Sequence, residues 1–255
     1  MHSAHHSTTI LLTNDDGIYS EGLKALAESL RLIGTIWVVA PQREQSAVGH
    51  SLTLHRPLRV QELGERRLAV DGTPTDCVGL AINGLLDKKP DLLVSGINRG
   101  GNMGDDLTYS GTVSAAWEGT LLGIPSFAIS TLPDSQEMFN FQPAADFARR
   151  MAQAILKYSL PPNTLLNVNV PNTNGAPISQ YKITRQGRRI FGDSIVEKVD
   201  PRGKKYYWIG GTDLGFENIN DSDLLAVHQQ YISITPILLD LTNYAAMNDL
   251  LAWKF

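Results

Sequence analysis

ILLTNDDGIYSEGLKALAESLRLIGTIWVVA, residues Ile10 to Ala40, is the stretch from which the fold of this chain is read. Its apolar opening, Ile10-Leu11-Leu12, is a short strand with no polar face, as expected in the middle of a sheet. Ser20 then caps a helix whose apolar stripe (Leu23, Leu26, Ala27, Leu30, Ile33) has the spacing of a helix packed on a sheet. Gly34 ends the helix, and Ile36-Trp37-Val38-Val39-Ala40 is a second buried strand closed by Pro41. Strand, helix and strand in this order make a right-handed parallel βαβ unit, so the chain is read as α/β.

Two adjacent carboxylates, Asp15 and Asp16, stand where the first strand ends. In open α/β sheets the carboxyl edge is where ligands bind. Like charges held side by side raise each other's pKa unless a cation neutralises them. The economical reading is a divalent metal site whose hard oxygen ligands favour Mg²⁺ or Mn²⁺. The plainer alternative is a solvated Asp-Gly turn.

Outward from this unit, Gln42 to Gly49 is a polar loop, and Ser51 to Leu63 alternates through Leu52, Leu54, Leu58 and Val60 as a strand or hairpin. Leu68-Ala69-Val70 is a further short strand. Thr73-Pro74 opens a helix with Cys77, Leu80, Ala81 and Leu85 on one face. Pro90 to Gly96 is a buried strand, and a glycine-rich loop runs from Asn98 to Gly111. A helix over Thr112 to Leu122, a strand over Pro125 to Ser130 and a helix over 142–158 follow. Leu165 to Val170 is expected to be the last strand of the main sheet. Beyond Pro171, the pieces Arg185 to Phe191 and Lys204 to Trp208 read as β-hairpins projecting from the core. The chain returns at Tyr231 to Pro236 and closes on a helix from about Thr242. Residues 8–172 are thus assigned to a catalytic core, and 173–255 to an arm with a returning strand and helix. Exposed aromatic and apolar residues on such an arm call for a partner surface, here subunit exchange or dimer packing.

The 255 residues are 42% hydrophobic and 19% charged, enough to bury a sizeable core. A net charge of −4, with no basic cluster longer than pairs such as Arg66-Arg67 and Arg188-Arg189, excludes phosphate-driven binding of a nucleic-acid polymer. A nucleotide or another small phosphate ester stays open. The single cysteine, Cys77, cannot form an internal disulfide and is read as a buried, inert thiol. No apolar stretch approaches the length of a membrane span, and the start, Met1 to Ser7, lacks the apolar centre of a signal peptide. The expected location is the cytoplasm. The histidines His2, His5 and His6 are read as part of a terminal tail rather than a metal site.

Two further loops should reach the edge that carries the acid pair: Arg43 to Ser51, and Gly96 to Gly104. Asp15, Asp16, a loop hydroxyl and Asn98 then form an oxygen-rich cage. Neutral oxygens beside two carboxylates leave a divalent ion with residual positive charge, which suits an anionic substrate. Ser110-Gly111-Thr112 opens a helix whose unpaired N–H groups suit a phosphate, with an ordinary Ser/Thr cap as the alternative. No Walker-type Gly-x-x-x-x-Gly-Lys-Ser/Thr occurs, and no Gly-x-Gly-x-x-Gly follows the first strand. His50, near Ser46, is a candidate phosphate contact, and His55 a surface or packing residue.

LLTNDDGIYSEGL (Leu11 to Leu23), VVAPQREQSAVGHSLTL (Val38 to Leu54), DGTPTDCV (Asp71 to Val78), DLLVSGINRGGNMG (Asp91 to Gly104), YSGTVSAAWEG (Tyr109 to Gly119) and YISITPI (Tyr231 to Ile237) resemble the SurE family of stationary-phase survival proteins, metal-dependent 5′/3′-nucleotidases. The resemblance runs from the first strand to near the chain's end. It implies a Rossmann-like, mostly parallel sheet with helices on both faces, and an arm that joins subunits as a homodimer or homotetramer. It implies hydrolysis of nucleoside monophosphates by metal-activated water, an acid phosphatase activity, with short polyphosphate as a further substrate class. One Mg²⁺ or Mn²⁺ per subunit would be held by Asp15, Asp16, Ser46 and Asn98, and the anion pocket formed by Asn102, Ser110, Gly111 and Thr112. Either aspartate is also a candidate base. A response-regulator receiver domain, the competing reading of the acid pair, is about half this length. It also needs a lysine that Thr131-Leu132-Pro133-Asp134 does not supply.

Overall fold

Strand β1 (Thr9–Thr13) runs through the interior of a nine-stranded sheet with Ile10, Leu11 and Leu12 fully buried. Each such side chain contributes about 1.5–3 kcal/mol on leaving water, so this strand anchors the fold. The computed structural model describes residues 8–173, 178, 180–191, 195–209 and 213–254, and all statements concern these. The N-terminal histidines and parts of the arm lie outside them.

Helix α1 (Glu21–Leu30) carries the chain from β1 to β2 (Thr35–Pro41), as its stripe and its Ser20 cap predict. β3 (Val60–Gly64) and β4 (Arg67–Val70) follow, then α2 (Pro74–Leu80), opened by a Thr73/Asp76 capping box and continued by a π-helical turn over Ala81–Leu85. β5 (Leu92–Arg99), α3 (Gly111–Leu121), β6 (Ser126–Thr131), α4 (Gln142–Tyr158) and β7 (Thr164–Val170) complete the parallel part. The C-terminal third holds β8 (Tyr181–Ile183), β9 (Arg189–Phe191), β10 (Ile195–Val199), β11 (Lys205–Ile209) and β12 (Asp213–Phe216). It ends with α5 (Asp223–His228), β13 (Ile232–Leu238) and α6 (Tyr244–Leu250).

The sheet order is β3-β4-β2-β1-β5-β6-β7-β13-β8, with β4 to β7 parallel throughout. From β1 the chain first builds outward through β2 to β4, then crosses back to lay β5 on the other side of β1. That reversal is a topological switch point, where the ends of β1, β2 and β5 open a crevice. Leu23, Leu26 and Leu30 of α1 pack with Ala144, Phe147 and Ala148 of α4 on one face of the sheet. On the other, Cys77 and Val78 of α2 pack with Val113, Ala115 and Ala116 of α3. Helices on both faces are as expected. Cys77 is fully buried, and burial lifts its thiol well above the usual range, so it is inert.

Two expectations are corrected. The alternation over Ser51 to Leu63 yields a strand only from Val60, and Leu54 is 86% exposed. With no buried face to reward the period, the preceding segment is a surface coil, held by polar contacts such as Thr53 N–H to Asp76 (2.9 Å) and Arg56 to Asp71 (3.1 Å). Nor is Leu165 to Val170 the last strand of the main sheet. β13 pairs antiparallel with β7 (Ser233↔Asn169, Pro236↔Leu166), and β8 lies beyond it. Ser233 and Thr235 of β13 are buried polar residues, so nothing in their alternation with Ile232 and Ile234 announces a strand buried within the sheet.

The arm holds two small antiparallel ribbons, β9 with β12 and β10 with β11. Every residue of β10 and β11 is exposed, Trp208 by 64% and Ile209 by 89%. α6 has no buried residue. No helix among the described residues is long and apolar enough to cross a membrane.

Candidate active site

The turn after β1 is built before any ligand arrives. Asn14, fully buried, donates its side-chain amide to Gly17 O (3.1 Å) and Ser20 Oγ (2.7 Å), while Ser20 Oγ accepts the Leu23 N–H that caps α1. This brace fixes Asp15 and Asp16 at the strand end. The Gln45 N–H donates to Asp15 O (2.8 Å), drawing the loop after β2 to the acid pair.

Asp15 is 7% exposed. Thr112 donates its hydroxyl to Asp15 Oδ1 at 2.5 Å, and its backbone N–H also serves that carboxylate. Gly111 makes the approach possible, since a Cβ there would stand 2.9 Å from Asp15 Cβ. Burial raises the pKa of Asp15, with the Thr112 hydroxyl opposing it. Asp16 is half-buried, and its Oδ2 accepts the Arg99 N–H at 3.3 Å. Burial first, and the charge of Asp15 second, push its pKa up to about 6. Ionising both carboxylates is therefore disfavoured unless a cation balances the charge that the protein surroundings do not.

Ser46 is exposed and donates to Glu44 Oε1 at 2.5 Å. Asn98 gives its side-chain N–H to Gly100 O (2.8 Å), which leaves Oδ1 as that side chain's acceptor. Asn102 is clamped from the sheet: its N–H donates to Asn169 Oδ1 (2.8 Å), and its carbonyl accepts from Asn167 (2.7 Å) and Asn169 (3.1 Å). Its side-chain amide gives one N–H to Ser130 Oγ (2.9 Å) and keeps a second. Ser110 Oγ caps α3 by accepting from Val113 N (3.1 Å) and retains its own proton to donate.

Asp15, Asp16, Ser46, Asn98, Asn102 and Ser110 all line one polar cleft of about 670 Å³ at the switch point. Gly111 and Thr112 stand behind Asp15, so part of the α3 N-terminus is spent on that carboxylate. His50 belongs elsewhere. Its Nε2 meets Glu118 at 2.9 Å, and it lines a separate, mainly apolar cavity of about 640 Å³ between α3 and β13. His55 lies exposed on the surface coil. Sequence reasoning missed Tyr19, Glu44, Arg99, Asp106 and Tyr109, which also line the cleft. The two exposed tyrosines, 67% and 66% accessible, are adjacent to motif residues, and that adjacency was the available signal.

Among the described residues no group of three or more His, Cys, Asp or Glu is placed to hold a metal ion. The donor set on offer is instead two carboxylates with the neutral oxygens of Ser46 and Asn98. Oxygen-only donors with two uncompensated charges fit a hard divalent cation.

A profile of the family described as "Survival protein SurE" matches residues 10–193. The 5′-nucleotidase SurE of Geotalea daltonii is 55% identical over 245 residues, 96% of this chain and 98% of that protein. The 5′-nucleotidase SurE of Geobacter sulfurreducens is 56% identical over 244 residues, 96% of this chain and 93% of that protein. Among solved structures, the SurE protein from Aquifex aeolicus superposes with a TM-score of 0.85 at 44% identity, covering 95% of this chain and 98% of that one.

Proposed function

The chain belongs to the SurE family, and from that premise we propose that it is a divalent-metal-dependent phosphomonoesterase, a 5′/3′-nucleotidase converting nucleoside monophosphates to nucleoside and phosphate. The observation that carries this reading is the acid pair Asp15–Asp16 at the switch point, facing Asn98, Asn102 and Ser110 across one cleft. Relatives named 5′-nucleotidase SurE, more than half identical over nearly the whole chain, support it.

Asp15, Asp16, Ser46 and Asn98 are the residues that would hold one Mg²⁺ or Mn²⁺ per subunit. Such an ion supplies Lewis acidity toward a phosphoryl oxygen and lowers the pKa of water. Asn102, the Ser110 hydroxyl and the Gly111 N–H, the one donor of the first turn of α3 not engaged by Asp15 or by the Ser110 cap, bind the phosphate and meet the charge that develops on its oxygens. Asp15 is held in place by Thr112, and because burial raises its pKa, its charge would be secured by the cation rather than by the protein alone. Asp16, half-exposed to the cleft, is the carboxylate positioned to take a proton from attacking water. The exposed rings of Tyr19 and Tyr109 offer faces for a nucleobase. Short polyphosphate is a further substrate class for a cleft that grips phosphate oxygens.

Residues 8–172 carry catalysis in this reading, and 173–255 assemble a homodimer or homotetramer, the exposed apolar surfaces of β10, β11 and α6 being the support. A lone buried thiol suits a reducing cytoplasm. The test is phosphate release from 5′- and 3′-monophosphates and polyphosphate, with Mg²⁺, Mn²⁺ or chelator. Asp15→Asn should abolish release while leaving the fold intact. Full activity in chelator, or in Asp15→Asn, would reject the assignment.

A further inference from the structure

Asp223, the first residue of α5, is fully buried yet lies outside the cleft. Its two oxygens serve three backbone donors. Oδ2 accepts from Gly104 N (2.9 Å), and Oδ1 accepts from Gly187 N (2.9 Å) and Leu224 N (2.8 Å). Gly104 belongs to the glycine-rich loop between Asn102 and Ser110, whereas Gly187 lies at the base of the arm, just before β9. One carboxylate thus joins two segments that are remote in sequence. Contact is close, since a Cβ on Gly187 would come within 2.8 Å of Asp223 Oδ1.

Two neighbouring contacts run the same way. Gln186 donates its side-chain amide to Gly104 O at 2.9 Å, and the Arg189 guanidinium pairs with Asp106, which lines the cleft. The loop is therefore held from two sides, by Asn167 and Asn169 of the sheet at Asn102 and by the arm base at Gly104 to Asp106. A buried carboxylate is costly, and the cap of α5 is already supplied by Ser222, whose Oγ accepts the Leu225 N–H at 3.2 Å. What the charged group adds is acceptor capacity for donors arriving from two directions.

We propose that Asp223 is a positioning residue for phosphate recognition, setting the loop between Asn102 and Ser110 and making the arm base part of the active site's support. This rests on the phosphate pocket assigned above. An amide at this position has a single acceptor oxygen. Turned toward Gly187 and Leu224, where two donors wait, it leaves its NH₂ facing the Gly104 N–H, donor against donor. Asp223→Asn thus frees the loop and keeps the arm side tied. Gln186→Ala removes the neighbouring bond without touching a buried charge.

The experiment uses the full-length protein and both variants. It measures Mn²⁺ affinity by calorimetry, inhibition by inorganic phosphate, and amide hydrogen exchange across residues 100–110. The expected result is a loss of phosphate affinity of about tenfold in Asp223→Asn and about threefold in Gln186→Ala, the scale of one hydrogen bond. Mn²⁺ affinity should be unchanged, and exchange around Gly104 faster. Phosphate affinity unchanged in both variants, or Mn²⁺ affinity falling in parallel, would overturn the proposal and leave Asp223 a purely structural tie. Should Asp223→Asn fail to fold, Gln186→Ala decides by the same comparison. Failure of the unmodified protein to bind phosphate would instead reject the functional reading, and accelerated exchange in the variants would still report the tether.

Discussion

Thr112 directs its hydroxyl at Asp15 Oδ1 from 2.5 Å away, across 97 residues of sequence, and joins the first turn of α3 to the end of β1. A buried carboxylate without donors would be driven toward its neutral form. This hydroxyl and the Thr112 N–H favour the ionised form that a cation requires. Thr112→Val keeps the shape and removes the hydroxyl. A hydrogen bond to a charged group is worth about 1.5–3 kcal/mol, so Mn²⁺ affinity and kcat/KM should each fall roughly tenfold or more. Thr112→Ser should restore most of both. Titration calorimetry and steady-state kinetics check this, and unchanged Mn²⁺ affinity in the valine variant would show that the hydroxyl is incidental.

Gly111 presents the opposite problem, too little space. A Cβ there would lie 2.9 Å from Asp15 Cβ and 3.0 Å from its Oδ2. Alanine normally favours a helix over glycine by about 1 kcal/mol. In Gly111→Ala that gain is set against displacement of Asp15 or of the α3 start. Turnover should therefore drop about a hundredfold, since misplacement of about 1 Å costs that much. The melting temperature should move by only a few degrees. An alanine variant with full activity would mean that α3 and Asp15 need not approach so closely.

Much of this site was legible in the sequence because it is assembled from local signals. The run Ile10 to Leu12 marks the strand, the acid pair follows it, and Ser20 caps α1 as expected, while Ser110, read as a phosphate contact with an ordinary cap as the alternative, does cap α3. Asn98 and Asn102 could be placed because β5 ends beside them. What was not legible depends on contacts between distant segments. Nothing near Thr112 says that its donors belong to Asp15 rather than to a ligand, and nothing near Ser233 names Asn169 as its partner across the sheet. The Leu52–Leu54 alternation misled for the same reason. Periodicity reports a strand only where another segment buries one face, and here none does.

Asp16 supplies a pH dependence whose direction is fixed. Its pKa rises from 3.8 to about 6 in the metal-free protein, so ionising it costs more in the folded chain than in the unfolded one. The stability it contributes is fully present below about pH 4 and is lost as pH climbs through about 6. The rise corresponds to roughly 3 kcal/mol, reduced to about 2 kcal/mol by the solvent that reaches a half-buried group. Asp16→Asn, which carries no charge to desolvate, should melt about 5 °C above the unmodified protein at pH 8 in chelator. The two should converge near pH 4, and Mn²⁺ should reverse their order at pH 8. Thermal melts at the two pH values, with and without the ion, provide the check. A gap that widens toward acid would contradict the assignment.

The β10–β11 ribbon offers the most direct test of assembly. Two antiparallel strands alone are marginally stable in water, yet this pair exposes apolar side chains on both faces. Val196 and Trp208 are cross-strand partners on one face, and Ile195 and Ile209 are partners on the other. Trp208 is 64% exposed and Ile209 is 89% exposed, an arrangement that calls for burial against another copy. Buried interface tryptophans commonly contribute about 2–4 kcal/mol, so the double variant Trp208→Glu, Ile209→Glu should weaken assembly at least a hundredfold. Light scattering at micromolar concentration should then report the monomer mass, with an unchanged circular dichroism spectrum, because neither residue contributes to the sheet core. An unchanged mass would move the interface to α6, where Met247→Glu, Leu250→Glu is the corresponding test. The arm base at Gln186 and Arg189 contacts Gly104 and Asp106 of the loop that lines the cleft. Loss of assembly should therefore also lower phosphate affinity, and titrating protein concentration while measuring inhibition by phosphate would reveal that coupling.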